Sequence, residues 1–192
     1  VEVFKTYATA EAALSEYAVT LLAEGEDELL KAARQRGLDA GLPGIALPFP
    51  DARHLMVLAS LVRPRLIVEV GTLAGYSALC LARHLQPGGR LITIDREPRH
   101  HAVARDVFAL AGVDHCVECR TGEALPLFEQ IAATEVVDLI FLDADREHYP
   151  QYLEAGARCL RPGGLFVVDN AFAYGSIANA RFVDEEEAGR VR

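Results

Sequence analysis

A chain of 192 residues that is 51% hydrophobic is long enough to enclose one substantial core, and reads most simply as one domain, 1–192. Its formal charge of -9 and pI near 5.1 disfavour a phosphate backbone as the main partner, so nucleic acid is not the expected ligand. No apolar run reaches membrane-spanning length, and the N-terminus lacks the basic, apolar and small-residue succession of a signal peptide, which makes a cytoplasmic location the expectation.

In chain order, "EAALSEYAVTLLAEGEDELLKAARQRG" places Leu14, Ala18, Leu21, Leu22, Leu29 and Leu30 at helical spacing and ends at Gly37, which predicts one or two helices. "GLPGIALPFPD" (41–51), with three prolines and two glycines, predicts a loop, and a helix over about 52–62 follows. From residue 64 short runs rich in Val, Ile, Leu and Phe alternate with amphipathic ones. The predicted strands are 66–70, 90–95, 116–120, 137–143 and 164–170, and the helices lie near 75–85, 97–111, 122–133 and 149–160. Strands apolar on both faces, alternating with helices, define a doubly wound, Rossmann-like α/β fold around a parallel sheet. "QPGGR" and "RPGGL" both read as turns that close a helix and release a strand. Cys80 and Cys159 fall in predicted helices and Cys116 and Cys119 in a strand; a single CxxC without histidines reads as structural thiols. The tail "ANARFVDEEEAGRVR", with the charge run Asp184 to Glu187, reads as a solvated face.

In such a sheet the ligand lies beyond the carboxyl ends of the strands. "EVGTLAGYS" follows the first strand, with a GxxxG spacing in place of the GxGxxG of a dinucleotide fingerprint. Gly71 and Gly75 would let the backbone approach a ligand, with Thr72, Tyr76 and Ser77 beside it, and the acid Glu69 suits a cation better than a pyrophosphate. Asp95, ahead of Arg96, ends the second strand, where an acid either caps a turn or accepts from both hydroxyls of a ribose. Gly122, Glu123 and Ala124 follow the third strand and would line an adenine slot. Ribose, adenine and a cation together describe S-adenosylmethionine (SAM) better than a nicotinamide dinucleotide.

The fourth strand ends at Asp143 and the fifth at Asp169 and Asn170; as neighbours these strands would lie about 5 Å apart. The acids read either as helix caps or, together, as a hard oxygen-only set suited to Mg²⁺, or to Ca²⁺ or Mn²⁺, and the pairing of "FLDAD" with "VVDN" at one acidic cleft favours the metal.

"VEVGTLAGYSALCLARHL", "LITIDREP", "VDLIFLDADREHYPQY" and "LRPGGLFVVDN" together resemble the cation-dependent O-methyltransferases, the group containing catechol and caffeoyl-coenzyme A O-methyltransferases, over about residues 45–175. The resemblance implies methyl transfer from SAM to a hydroxyl of a small acceptor with adjacent oxygens. It also implies a site in which Glu69, Ser77, Asp95, Glu123, Ala124, Asp145 and Leu47 hold the cofactor, Asp143, Asp169 and Asn170 hold the metal, and the molecule is a homodimer.

Two departures stand out. Where the family usually has a lysine proposed as general base, this chain has Arg146, whose guanidinium cannot take a proton at neutral pH; as a catalytic residue beside Asp143 it could only stabilise an oxyanion or orient the acceptor. Relatives also continue beyond the fifth strand with a helix and an antiparallel strand pair, so the pair is expected to be missing here by truncation. A tRNA hydroxyuridine methyltransferase and a non-catalytic SAM-binding protein are the alternatives. His148, ahead of Tyr149 at a helix opening, and His100 and His101 after "REPR" read as surface residues.

Overall fold

In a computed structural model of the chain, the residues described are 12–23, 25–144 and 146–171. Asp145 and the tail from 172 onward, including Asp184 to Glu187, lie outside the described residues.

The β-branched runs form β1 (Leu66–Val70), β2 (Arg90–Asp95), β3 (Val117–Thr121), β4 (Val137–Leu142) and β5 (Leu160–Val168). All neighbouring strands are parallel and lie in the order β3-β2-β1-β4-β5, so strand order reverses between β1 and β4. The helices are α1 (Ala12–Ala23), α2 (Glu28–Asp39), α3 (Phe49–Val62), α4 (Tyr76–Ala82), α5 (Pro98–Ala111), α6 (Ala124–Thr134) and α7 (Tyr149–Cys159). Among the described residues, no helix is long and apolar enough to cross a membrane.

Alternation along the strands divides the core into two layers. Ile67, Leu91, Leu139 and Phe141 pack with Leu30, Leu55, Leu79 and Phe108 from α2 to α5. Val68, Ile92, Ile140 and Leu142 face the other way and pack with Phe128, Ile131 and Tyr152 from α6 and α7. Each such fully buried side chain contributes roughly 1.5–3 kcal/mol of burial free energy. Glu69 and Thr93 fall in the alternation of the first layer, yet they are polar and completely buried. Polar residues on a buried face mark where the core gives way to a site.

Several sequence boundaries shift. The helix predicted from 52 begins at Phe49, because Pro50 in its first turn lacks only an N–H that would have had no helical partner. Cys116 closes a 3-10 turn, Asp114–Cys116, and β3 starts one residue later. The strands stop just before the acids, at Leu142 and Val168. "RPGGL" is no turn but part of β5. Val137 pairs with Leu160 and Leu139 with Leu165, so residues 161–164 of β5 stand opposite residue 138 alone, as a bulge. "QPGGR" remains a turn, with Gly89 N–H bonding Gln86 O at 2.8 Å. All four cysteines are free thiols, and burial pushes Cys80 up to about 12, far from a reactive thiolate.

Candidate active site

The reversal of strand order opens a cleft of about 980 Å³ at the carboxyl end of the sheet. Thr72, Ser77, Asp95, Ala124, Asp143 and Asn170, from the ends of all five strands, reach it. Leu47, Gly71, Tyr76, Arg96 and Glu123 also line it, while Gly75, Gly122 and Asp169 do not. Arg146 opens a 3-10 turn, Arg146–His148, whose Glu147 and His148 line the cleft.

The two glycines of the first turn answer to the chain itself. Gly71 has φ +99°, and a Cβ there would come within 2.0 Å of the Asp143 carbonyl oxygen. Gly75 has φ +80°, and its Cβ would meet the Phe108 ring at 2.7 Å. The expected ligand approach is therefore only half of the reason for Gly71, and for Gly75 helix packing replaces it.

Asp95 acts both as a turn residue and as a cleft acid. Its Oδ2 accepts from the Thr72 and Leu73 amides, both at 3.1 Å, and from His100 Nδ1 at 2.9 Å, while Oδ1 accepts from Glu97 N–H at 2.9 Å. Burial raises its pKa, but these donors outweigh burial and hold the carboxyl below the usual range. With Oδ2 already accepting three bonds, Oδ1 is the atom with room for a ribose hydroxyl.

Glu69 lies under the cleft floor, behind Val70, Gly71, Thr72 and Ser77, and is fully buried. Burial pushes its carboxyl up to about 8, against the opposing pull of Thr93 and Ser77. Oε2 accepts from Thr93 Oγ1 at 2.6 Å; Oε1 is buried without a partner. A buried carboxylate oxygen with unmet acceptor capacity beneath a cleft fits a cationic ligand.

On the other flank, Asp169 N–H bonds Leu142 O at 2.8 Å, continuing the β4–β5 ladder beyond the strand. The Tyr149 hydroxyl donates to Asp169 O at 3.1 Å. Asn170, at φ +56°, donates its side-chain amide to Asp169 Oδ2, which leaves its amide oxygen with lone pairs to offer. Burial, and then the charge of Asp169, push Asp51 at the start of α3 up to about 6. Among the described residues, no three or more His, Cys, Asp or Glu side chains group as a metal site. The set is two carboxylates and an amide, with a third acid held high by burial and then by the charge of Asp169, and that chemistry fits a hard divalent cation.

Sequence reasoning missed several residues. Arg34 donates to Leu47 O at 3.1 Å and to Glu26 at 3.1 Å, and lies 4.4 Å from the centre of the Tyr76 ring. It ties the 45–47 segment to the rim, a role visible only once α2, that loop and α4 meet. The surface reading of the histidines is corrected: His101 is completely buried, His100 is held on Asp95, and His148 lines the cleft with the buried Tyr149. For His101 a signal was present, since Ala104, Val107 and Phe108 follow it on one helical face.

A parallel sheet of this order, with its cleft at the β1/β4 switch point and an acid near the carboxyl end of each of its first two strands, is the Rossmann-like architecture of class I methyltransferases. Residues 20–192 match the O-methyltransferase family, and the chain belongs to it. It is 37% identical over 169 residues to a catechol O-methyltransferase of Niastella koreensis, covering 87% of this chain and 76% of that protein. The O-methyltransferase from Bacillus cereus in complex with S-adenosylhomocysteine superposes with a TM-score of 0.84 at 32% identity, over 94% of this chain and 82% of that one. The SAM complex of the O-methyltransferase TomG from Streptomyces achromogenes does so with 0.83 at 34% identity, over 92% and 81%. The protein is thus a SAM-dependent O-methyltransferase of the bacterial type. This membership does not favour the non-catalytic alternative.

Proposed function

We propose that the enzyme methylates a hydroxyl of a small acceptor carrying two adjacent oxygens, of the catechol or phenol type, with a divalent metal held by Asp143, Asp169 and Asn170. The observation that carries this reading is the sharing of one cleft: Asp143 and Asn170 line the same cavity as Thr72, Ser77, Asp95 and Ala124. The name of the Niastella koreensis relative supports the acceptor class.

On the cofactor side, Glu69 supplies negative charge beneath the floor for the cationic part of SAM, Oδ1 of Asp95 accepts from the ribose, and Glu123, Ala124 and Leu47 bound the adenine. Gly71, Thr72, Tyr76, Ser77 and Arg96 shape that half of the wall, with Gly75 and Gly122 holding the turns behind it, and Asp145 helps hold SAM. A divalent cation, Mg²⁺ or alternatively Ca²⁺ or Mn²⁺, supplies Lewis acidity that lowers the pKa of the acceptor hydroxyl. Arg146 keeps its proton at neutral pH, so its role is to steady the developing oxyanion or orient the acceptor. Holding donor and acceptor in line supplies much of the remaining rate. The homodimer finds support in Val57 and Leu61, apolar on α3 yet 50% and 74% exposed, and light scattering tests it.

The deciding experiment is methyl transfer from labelled SAM to a panel of catechols and caffeoyl esters, with Mg²⁺ and with EDTA. Turnover abolished by EDTA is expected. Turnover indifferent to EDTA overturns the metal, and SAM binding without transfer to any vicinal diol overturns the acceptor class.

A further inference from the structure

Beneath the cofactor turn, buried polar groups form an unbroken line. Thr93 Oγ1 donates to Glu69 Oε2 at 2.6 Å; Thr72 Oγ1 lies 2.6 Å from Thr93 Oγ1, His101 Nε2 3.1 Å from Thr72 Oγ1, and Thr121 Oγ1 2.7 Å from His101 Nδ1. The line starts on β1, passes through β2 and the first turn, crosses to α5 and ends on β3. Thr72 lines the cleft; Glu69, Thr93 and His101 are completely buried.

With the Glu69 carboxylate accepting from Thr93, counting hydrogens fixes the direction of the remaining bonds. A hydroxyl has one proton to give. Thr93 gives its proton to Glu69, so Thr72 must donate to Thr93. Thr72 then has only lone pairs for His101, which must donate from Nε2. Burial holds His101 below its usual pKa, with Arg105 and His100 adding to this and only Asp95 opposing, so the ring is neutral and Nδ1 accepts from Thr121. Every dipole in the line points the same way, towards the Glu69 carboxyl, and such aligned bonds reinforce one another.

We propose that His101, as its Nε2–H tautomer, is a positioning residue for the cofactor site: it fixes the Thr72 hydroxyl, and through Thr72 and Thr93 it orients Glu69 and steadies the turn from Gly71 to Gly75. This rests on the reading that SAM lies against that turn. Thr72 is the only member of the line that both reaches the cleft and is held from the backbone by Asp95 and from the side chain by His101. Without the imidazole, the Thr72 hydroxyl loses the donor that His101 supplies and is free to turn away from Thr93. The expected effect falls on SAM binding, since α5, which carries His101, packs on β2 and β3, whereas the acceptor flank is at the ends of β4 and β5, beyond β1 in the sheet.

The test has two arms. Nitrogen-15 and carbon-13 shifts of the His101 ring in the ligand-free wild-type protein report the tautomer directly: protonated Nε2 and unprotonated Nδ1 are expected at about pH 9, where Glu69 is the carboxylate, and a protonated Nδ1 there overturns the line whatever the cofactor does. Calorimetric SAM titration then compares wild type with His101→Leu, His101→Gln, Thr72→Val and the Leu/Val double variant. His101→Leu and Thr72→Val should each weaken SAM about tenfold, the scale of one lost buried hydrogen bond. The double variant should lose no more than either single one, glutamine should restore most of the affinity by donating and accepting in place of the ring, and KM for SAM should rise with kcat held. A fall in Tm with unchanged SAM affinity, or losses that add, overturns the proposal. If SAM binds the wild-type protein without shifting the Thr72 amide, the location of the cofactor fails instead, and the tautomer result still judges the line.

Discussion

Two acids one strand apart are driven to opposite protonation behaviour by their surroundings alone. Asp95 collects four donors and stays ionised; Glu69 has one full hydrogen bond and keeps its proton to about pH 8. Because the folded pKa of Glu69 lies above its unfolded value, the stability it contributes is present below about pH 4.5 and is lost as pH rises to 8. Binding a cation requires the carboxylate, so below pH 8 SAM binding should release close to one proton, and affinity should weaken up to about tenfold per pH unit. Calorimetry in buffers of different ionisation enthalpy reads that proton, and Glu69→Gln should abolish both the release and the pH dependence. Gly71→Ala should cost about 3 kcal/mol or more in urea melts, since the methyl would collide with the Asp143 carbonyl in a backbone region hostile to L-residues. At this scale the residue types of the site were legible, but their partners were not. Glu69 and Asp95 stood out as acids at strand ends and the buried face of α5 pointed to His101, whereas the packing reasons for Gly71 and Gly75 required β4 and α5 to arrive from distant sequence.

At the scale of elements, the sheet has a reactive end and a tied end. At the tied end Asp138, in β4, accepts from the Arg65 and Leu66 amides at 2.7 and 2.8 Å and pairs with Arg161, whose guanidinium also donates to Val62 O at 3.0 Å. Burial raises the Asp138 pKa, and these donors more than cancel it. One carboxylate thus joins α3, β1, β4 and β5. Asp138→Ala should destabilise the fold by about 2–4 kcal/mol, because it strands two amides and a half-buried guanidinium, while SAM affinity measured well below the melting transition stays within twofold. Affinity falling in step with stability would mean that the two ends are coupled. Strand and helix identities were readable from periodicity; the starts of α3 and β5 were not, because Pro-rich and Gly-rich stretches signal a bend without saying whether a helix start, a turn or a bulge supplies it.

For the molecule as a whole, the cleft is lined by the acids Asp95, Glu123, Asp143 and Glu147, with Glu69 buried under its floor, on a chain that already carries -9. Cations should therefore act as structural ligands. Mg²⁺ at about a hundred times its Kd should add about 2.7 kcal/mol, read as a rise in Tm that EDTA reverses and that Asp143→Asn or Asp169→Asn removes. A Tm indifferent to Mg²⁺ in the wild-type protein would count against metal at those positions. The architecture and the place of the cleft followed from alternation and connection rules, which act along the whole chain. The bulge in β5 bears on how the chain tolerates change in length. Four residues, 161–164, stand opposite one, so this strand carries slack at the end away from the cleft. A residue lost or gained there can be absorbed before the pairing of Leu165 with Leu139. The same change after Leu165 would turn every following side chain to the opposite face, and a loss would slide Asn170 into the place of Asp169.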